Sequence, residues 1–223
     1  TLSASGSGFT LSGTTLTAGN NTTTSSRSCT VTATHAGKSA TCTVTQSAGE
    51  ITYGAWKVTI TANPTTIAAA GGTSTLTYSA VRDVLTNGVV TSTEKATPTV
   101  SGSATGFTRS GATVTAANNT TTSSRSVTYT ATHEGKSATC TVTQSAGSKQ
   151  YASWSDWTVT VSANPTTIAR TGGTSTITAS ATRTRTWTWN GVSGSGGTET
   201  DSGTPTLSAS GSGFTLSGTT LTA

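Results

Sequence analysis

Residues 118–147 read NNTTTSSRSVTYTATHEGKSATCTVTQSAG, and residues 20–49 read NNTTTSSRSCTVTATHAGKSATCTVTQSAG. Two near-copies at a fixed separation mark a repeat protein. In each copy apolar residues alternate with Thr or Ser in two runs: Val127, Tyr129, Ala131 then Ala138, Cys140, Val142 in the later one, and Cys29, Val31, Ala33 then Ala40, Cys42, Val44 in the earlier. Successive side chains of a strand point to opposite faces, so this period of two predicts a β-hairpin with one apolar and one hydroxyl face. The turns fall at Glu134-Gly135 and Ala36-Gly37, where Gly can adopt the positive φ of a tight hairpin. Arg125 and Arg27 precede the hairpin strands and are expected to form structural hydrogen bonds within their own units.

Working outward, residues 1–18, TLSASGSGFTLSGTTLTA, recur without a change at 206–223, and a diverged copy, TVSGSATGFTRSGATVTA, fills 99–116. Residues 56–80, WKVTITANPTTIAAAGGTSTLTYSA, match 157–181, WTVTVSANPTTIARTGGTSTITASA. Val58 and Ile60 alternate as a first strand that Asn63-Pro64 ends, because Pro lacks an N–H and restricts the residue before it. Gly71-Gly72 turns the chain into a second strand carrying Leu76 and Tyr78, or Ile177, Ala179 and Ala181 in the later copy. Turn signals about every 8–12 residues are the rhythm of a β-sandwich. The repeats predict one complete unit at 51–147, the C-terminal half of a preceding unit at 1–49, and the N-terminal part of the next at 149–223. The sequence then reads as a window on an array, out of phase with its units. A half-sandwich exposes its inner face and strand edges, so completion is expected from neighbouring repeats or from end-to-end association of another copy. The linkers at 47–50 and 145–148 are short, which predicts a semi-rigid array rather than beads on a flexible string.

Composition supports an all-β chain. Charged residues are 9% and aromatics 5% of 223 residues, and Thr, Val and Ile alternate between glycines, unlike the charge-rich, poorly β-branched composition of disordered chains. The net charge of +5 is spread along the chain rather than gathered in a basic block, which argues against a nucleic-acid partner. No stretch approaches the roughly 20 apolar residues of a membrane-spanning helix. Missing targeting signals carry no weight in such a window. The Cys count of 3 has no metal-site spacing. Cys29 and Cys42 lie on facing strands of one hairpin, directly opposite or diagonal depending on register. They read either as small buried hydrophobes or as a disulfide pair.

The run 118–147, with its Asn pair, hydroxyl residues, Arg125-Ser126, alternating hairpin and closing Val142-Thr143-Gln144, resembles the BACON domains of Bacteroidetes and their gut phages. The string GKSATCTV at 135–142, and the Pro64 followed by Gly71-Gly72-Thr73, resemble the wider bacterial Ig-like modules. The resemblance covers essentially the whole chain. It implies tandem immunoglobulin-like β-sandwich domains on an extracellular protein of a bacterial cell surface or virion surface. The BACON name records a proposed carbohydrate association. No family catalytic residue exists to carry over.

Arg183, Arg185, Trp187 and Trp189 alternate with Thr and so share one strand face ahead of an Asn190-Gly191 turn. Interleaved Arg and Trp can stack by cation–π contact, and exposed Trp can stack on a sugar ring. These four residues are the candidate ligand site; the alternative is a buried core Trp with a rim Arg. The middle unit has no such row at VRDVLTNG, residues 81–88. Trp154 and Trp157, with Tyr53 and Trp56 as their upstream counterparts, flank the short linkers and are read as interdomain packing residues. His35 and His133 sit beside the hairpin turns with no further ligand nearby, which reads as solvated His rather than a metal site. Glu199 and Asp201 in a Gly/Ser-rich loop fall short of the six or more oxygens that Ca²⁺ takes. Nucleophilic catalysis needs a base oriented by a third group, so neither an enzyme nor a cofactor is expected. Asn20, Asn21, Asn118 and Asn119 match the glycosylation sequon formally.

The expectation is a structural extracellular repeat protein forming a semi-rigid stalk, fibre or filament. The alternative is a glycan- or receptor-binding adhesion module.

Overall fold

Both predicted hairpin turns are present, and each holds two successive residues at positive φ: 44° and 71° at Glu134-Gly135, 49° and 76° at Ala36-Gly37. That is the type I′ geometry whose twist matches the flanking strands. Asn87-Gly88 and Asn190-Gly191 turn the same way. The structure is a computed structural model describing residues 1–223, and every regular element in it is a strand.

Residues 1–49 carry β1 (Leu2–Ser5), β2 (Phe9–Ser12), β3 (Thr15–Ala18), β4 (Arg27–His35) and β5 (Lys38–Gln46). Residues 51–147 carry β6 (Ile51–Tyr53), β7 (Lys57–Asn63), β8 (Thr66–Ile67), β9 (Gly72–Thr86), β10 (Val89–Ala96), β11 (Thr99–Ser101), β12 (Phe107–Ser110), β13 (Thr113–Ala116), β14 (Arg125–His133) and β15 (Lys136–Gln144). Residues 149–223 carry β16 (Lys149–Tyr151), β17 (Thr158–Asn164), β18 (Thr174–Trp189), β19 (Gly197–Gly203), β20 (Thr215–Ser217) and β21 (Thr220–Thr222). Strands β7 and β17 end at Asn63 and Asn164, immediately before Pro64 and Pro165, for the donor-loss reason given above.

The middle segment builds two sheets, one ordered β10-β9-β13-β12 with β6 and β7 also on β9, the other ordered β11-β14-β15-β8. The second alternating strand of the sequence is 15 residues long as β9, and its counterpart β18 is 16. Such length lets one strand serve several neighbours. Residues 75–81 of β9 pair with β7 and 84–86 with β6, while 80–86 pair with β10 on the opposite edge. β18 repeats the plan with β17, β16, β19 and β21.

The chain packs as two units. The first comprises Thr1–Thr65, Ser74–Val114 and Val127–Val142; the second comprises Thr66–Thr73, Thr115–Ser126 and Thr143–Ala223. The division therefore crosses strands of the middle segment instead of following the sequence period at 50 and 148. Within the first unit, alternate residues of both middle sheets are buried: Ile60, Leu76 and Ala80 from one, Val127, Tyr129, Ala131 and Val142 from the other. Some of the same positions in the flanking segments are open, although Cys29, the counterpart of Val127, is 0% exposed and Ala181, the counterpart of Ala80, is 8%. Val142 is 0% exposed and its counterpart Val44 is 43%; Ile60 is 6% exposed and its counterpart Val161 is 68%.

Candidate functional site

The alternating face of β18 carries a ladder of cations and rings. Arg183 lies 4.6 Å from the ring centre of Trp157 and 4.9 Å from that of Trp154. Arg185 lies 4.5 Å from Trp154 and 4.0 Å from Tyr151, and Lys149 stands 4.0 Å from Trp187. Trp187 meets Trp189 edge to face at 6.0 Å. The antiparallel register brings Asp201 opposite Arg183 and Glu199 opposite Arg185, and both pairs close as ion pairs at 2.8 and 2.9 Å. Each arginine is thus paired with a carboxylate while its guanidinium carbon lies over aromatic rings, two kinds of contact that a guanidinium favours.

The ladder is also present in the middle segment, as a single rung. Arg82, the counterpart of Arg183, lies 4.2 Å from Tyr53 and 4.6 Å from Trp56 and pairs with Glu94 at 2.7 Å. Residues 81–88 lack the four-residue row, as read from the sequence, and the structure adds what surrounds their single arginine. The sequence shows Arg82 alone; only the pairing of β9 with β6 and β10 brings its rings and carboxylate around it. Tyr53, Trp56, Trp154 and Trp157, read as interdomain packing residues, are placed against arginines of their own repeats. Trp56 also receives the half-buried His133 ring at 4.4 Å, edge to face.

A second constellation lies at the repeat junctions, and sequence reasoning missed it. The Asn190 side chain at the β18 turn donates to Asn118 Oδ1 at 2.7 Å and to the Asn119 carbonyl at 2.9 Å. Its own Oδ1 accepts from the Ser148 amide at 2.8 Å. At the preceding junction Asn87 donates to Asn20 Oδ1 at 3.2 Å and the Asn21 carbonyl at 2.8 Å, and accepts from the Glu50 amide at 2.8 Å. The receiving loop is hydrogen-bonded on its own account. Asn119 Nδ2 donates to the carbonyls of Ser123 and Ser145, both at 2.9 Å, and Asn21 does the same with Ser25 and Ser47 at 2.9 and 2.8 Å. Gly49 and Gly147 close the loop by donating to Thr23 and Thr121 at 2.8 and 2.7 Å. A Cβ at either glycine would collide with the Asn21 or Asn119 carbonyl oxygen. The formal sequon residues are therefore parts of a clamp. Paired Asn-Gly and Asn-Asn dipeptides were visible signals, but they lie 66 to 72 residues apart in the chain.

The remaining singled-out residues have local roles. Arg27 and Arg125 donate through Nε to Gln46 and Gln144 at 2.8 and 2.7 Å, and through a terminal nitrogen to the carbonyls of Gly19 and Ala117 at 2.8 and 2.7 Å. Cys29 stands opposite Val44 and Cys42 opposite Val31, so the two cysteines are diagonal, and both are free thiols. His35 is exposed. No three His, Cys, Asp or Glu side chains gather as a metal site. No helix is long and apolar enough to cross a membrane. No protein-family model, curated protein or solved structure matches the chain.

Proposed function

We propose that the chain is a structural repeat protein, a tandem array of immunoglobulin-like β-sandwiches acting as a semi-rigid extracellular stalk or filament of a bacterial surface or phage particle. The observation that carries this reading is the asparagine clamp, made with the same atoms at both repeat junctions. Two hydrogen bonds to the preceding repeat and one to the linker itself restrain bending where a Gly/Ser tether would leave it free. The sandwich assignment is supported by two sheets in the middle segment that each bury one set of alternate residues. The extracellular setting rests on the resemblance to BACON domains. A glycan- or receptor-binding role for Arg183, Arg185, Trp187 and Trp189 has less support, because carboxylates of the same sheet and neighbouring aromatic rings already engage the cations.

Small-angle scattering of the dilute 223-residue chain and of its Asn87→Ala/Asn190→Ala variant tests the proposal. The parent should scatter as an extended particle of low flexibility. The variant should keep its strand content and show a broadened distance distribution. A compact globule, or a parent as flexible as the variant, would overturn the reading.

A further inference from the structure

The sequence contains two Asn-Gly dipeptides, Asn87-Gly88 and Asn190-Gly191, and both belong to the clamp. Asn followed by Gly is the pair in which a backbone amide most readily attacks a side-chain amide, because Gly has no side chain to obstruct the approach. The turns leave the attacking amide open: a Cβ at Gly88 or Gly191 would meet nothing within 4 Å, and both glycines are exposed. What opposes the reaction is the engagement of the asparagine itself. Each Nδ2 donates twice, at 3.2 and 2.8 Å from Asn87 and at 2.7 and 2.9 Å from Asn190, and each Oδ1 accepts a backbone amide at 2.8 Å. The main-chain amides of Asn87 and Asn190 also donate to the Glu50 and Ser148 carbonyls at 2.9 and 2.8 Å, so side chain and backbone are pinned together.

The product of that attack cannot be held in the same way. The Gly nitrogen bonds to the side-chain carbonyl carbon, ammonia leaves, and water opens the cyclic imide to aspartate or isoaspartate. The carboxylate left at position 190 still accepts from the Ser148 amide, but it has no donor and turns an oxygen toward the Asn119 carbonyl oxygen. Rotating the Asn118 amide, whose Nδ2 is buried without a partner, answers one of the two lost bonds; the Asn119 carbonyl belongs to the backbone and has no such freedom. Isoaspartate adds a methylene to the main chain of the tight turn. Resting on the array reading above, we infer that Asn87 and Asn190 are deamidation sites built into the joints: the closed clamp protects the amide, and each conversion that escapes it unlocks that joint irreversibly. The two joints are not protected alike. Asn87 is exposed and its bond to Asn20 is 3.2 Å, whereas Asn190 is half-buried and reaches Asn118 at 2.7 Å, so Asn87 converts first.

Peptide mapping by mass spectrometry, with isoaspartate scored separately, follows both sites while the chain ages at fixed pH and temperature. The folded chain should convert about tenfold or more slowly than the guanidinium-unfolded chain, the least that three hydrogen bonds of ordinary net strength give. Asn20→Ala/Asn118→Ala removes one acceptor from each joint, leaves both Asn-Gly pairs, and should convert about two- to tenfold faster than the parent. Asn87 should lead Asn190 in the folded chain once each is scaled to its unfolded rate. Scattering of Asn87→Asp/Asn190→Asp should show the broadened distance distribution expected of Asn87→Ala/Asn190→Ala. Equal rates in the folded and unfolded chains, an Asn20→Ala/Asn118→Ala variant no faster than the parent, Asn190 converting first, or an Asn→Asp pair as stiff as the parent would overturn the inference. The array reading stands or falls separately. If the Asn→Ala pair loosens the chain and the Asn→Asp pair does not, only the deamidation inference fails; if the Asn→Ala pair leaves the parent's stiffness unchanged, both fail.

Discussion

Asn190 and Asn87 hold φ at 54° and 49° while their side chains bridge to the preceding repeat. Asn tolerates the left-handed region better than most residues, and its amide offers a donor and an acceptor at once, so one residue type meets both requirements. Tyr129 shows how a single buried group ties stability to pH. Burial raises its hydroxyl above the usual 10.0, Arg109 pulls it back in part, and Cys140 adds to the rise. Burial raises the Cys140 thiol above 9.0 as well. In both cases the fold favours the protonated form. The unfolded chain therefore loses its protons first as pH climbs, and stability falls from about pH 9 upward. Urea midpoints measured across the alkaline range should decline, and Tyr129→Phe should flatten the part of the decline above about pH 10, leaving the part due to Cys140.

At the scale of elements, β18 shows what an alternating pattern does and does not disclose. TRTRTWTW places Arg183, Arg185, Trp187 and Trp189 on one face from the sequence alone. It does not disclose the rings of Tyr151, Trp154 and Trp157, or the carboxylates of Glu199 and Asp201, which come from other segments by pairing and register. Arg82 makes the same point more sharply, since nothing beside it in sequence announces Tyr53, Trp56 and Glu94. Arg183→Ala removes an ion pair and two ring contacts at a half-buried site and should cost about 1–2 kcal/mol in urea unfolding followed by Trp fluorescence. Arg183→Lys should recover only part of that, because an ammonium cannot lie flat between rings.

For the whole molecule, what matters is which faces find a partner. Val142 and Val44 lie in the same local string, TCTVTQSAG, yet one is sealed and the other open. Val142→Ala should therefore destabilise by about 2 kcal/mol, the transfer and cavity cost of a buried Val side chain. Val44→Ala should stay within about 0.5 kcal/mol in the dispersed chain. Denaturation of the two variants side by side checks the contrast. Hairpins, their I′ turns, the strand ends at Pro64 and Pro165 and the bonds of Arg27 and Arg125 were legible, because all are set by local periodicity or by one residue's backbone limits. The clamp and the ladder were not, because they join residues distant in sequence. Residues 1–18 and 206–223 draw that boundary with chemistry held constant. Leu2–Ser5 form β1 against β4, while the identical residues at 207–210 form no strand. Sequence alone determined the repeat, the period-two faces and the turns. Tertiary structure decided which copies of those faces become regular and buried, because a strand's backbone N–H and C=O groups need a second strand to pair with and an apolar face needs another to exclude water.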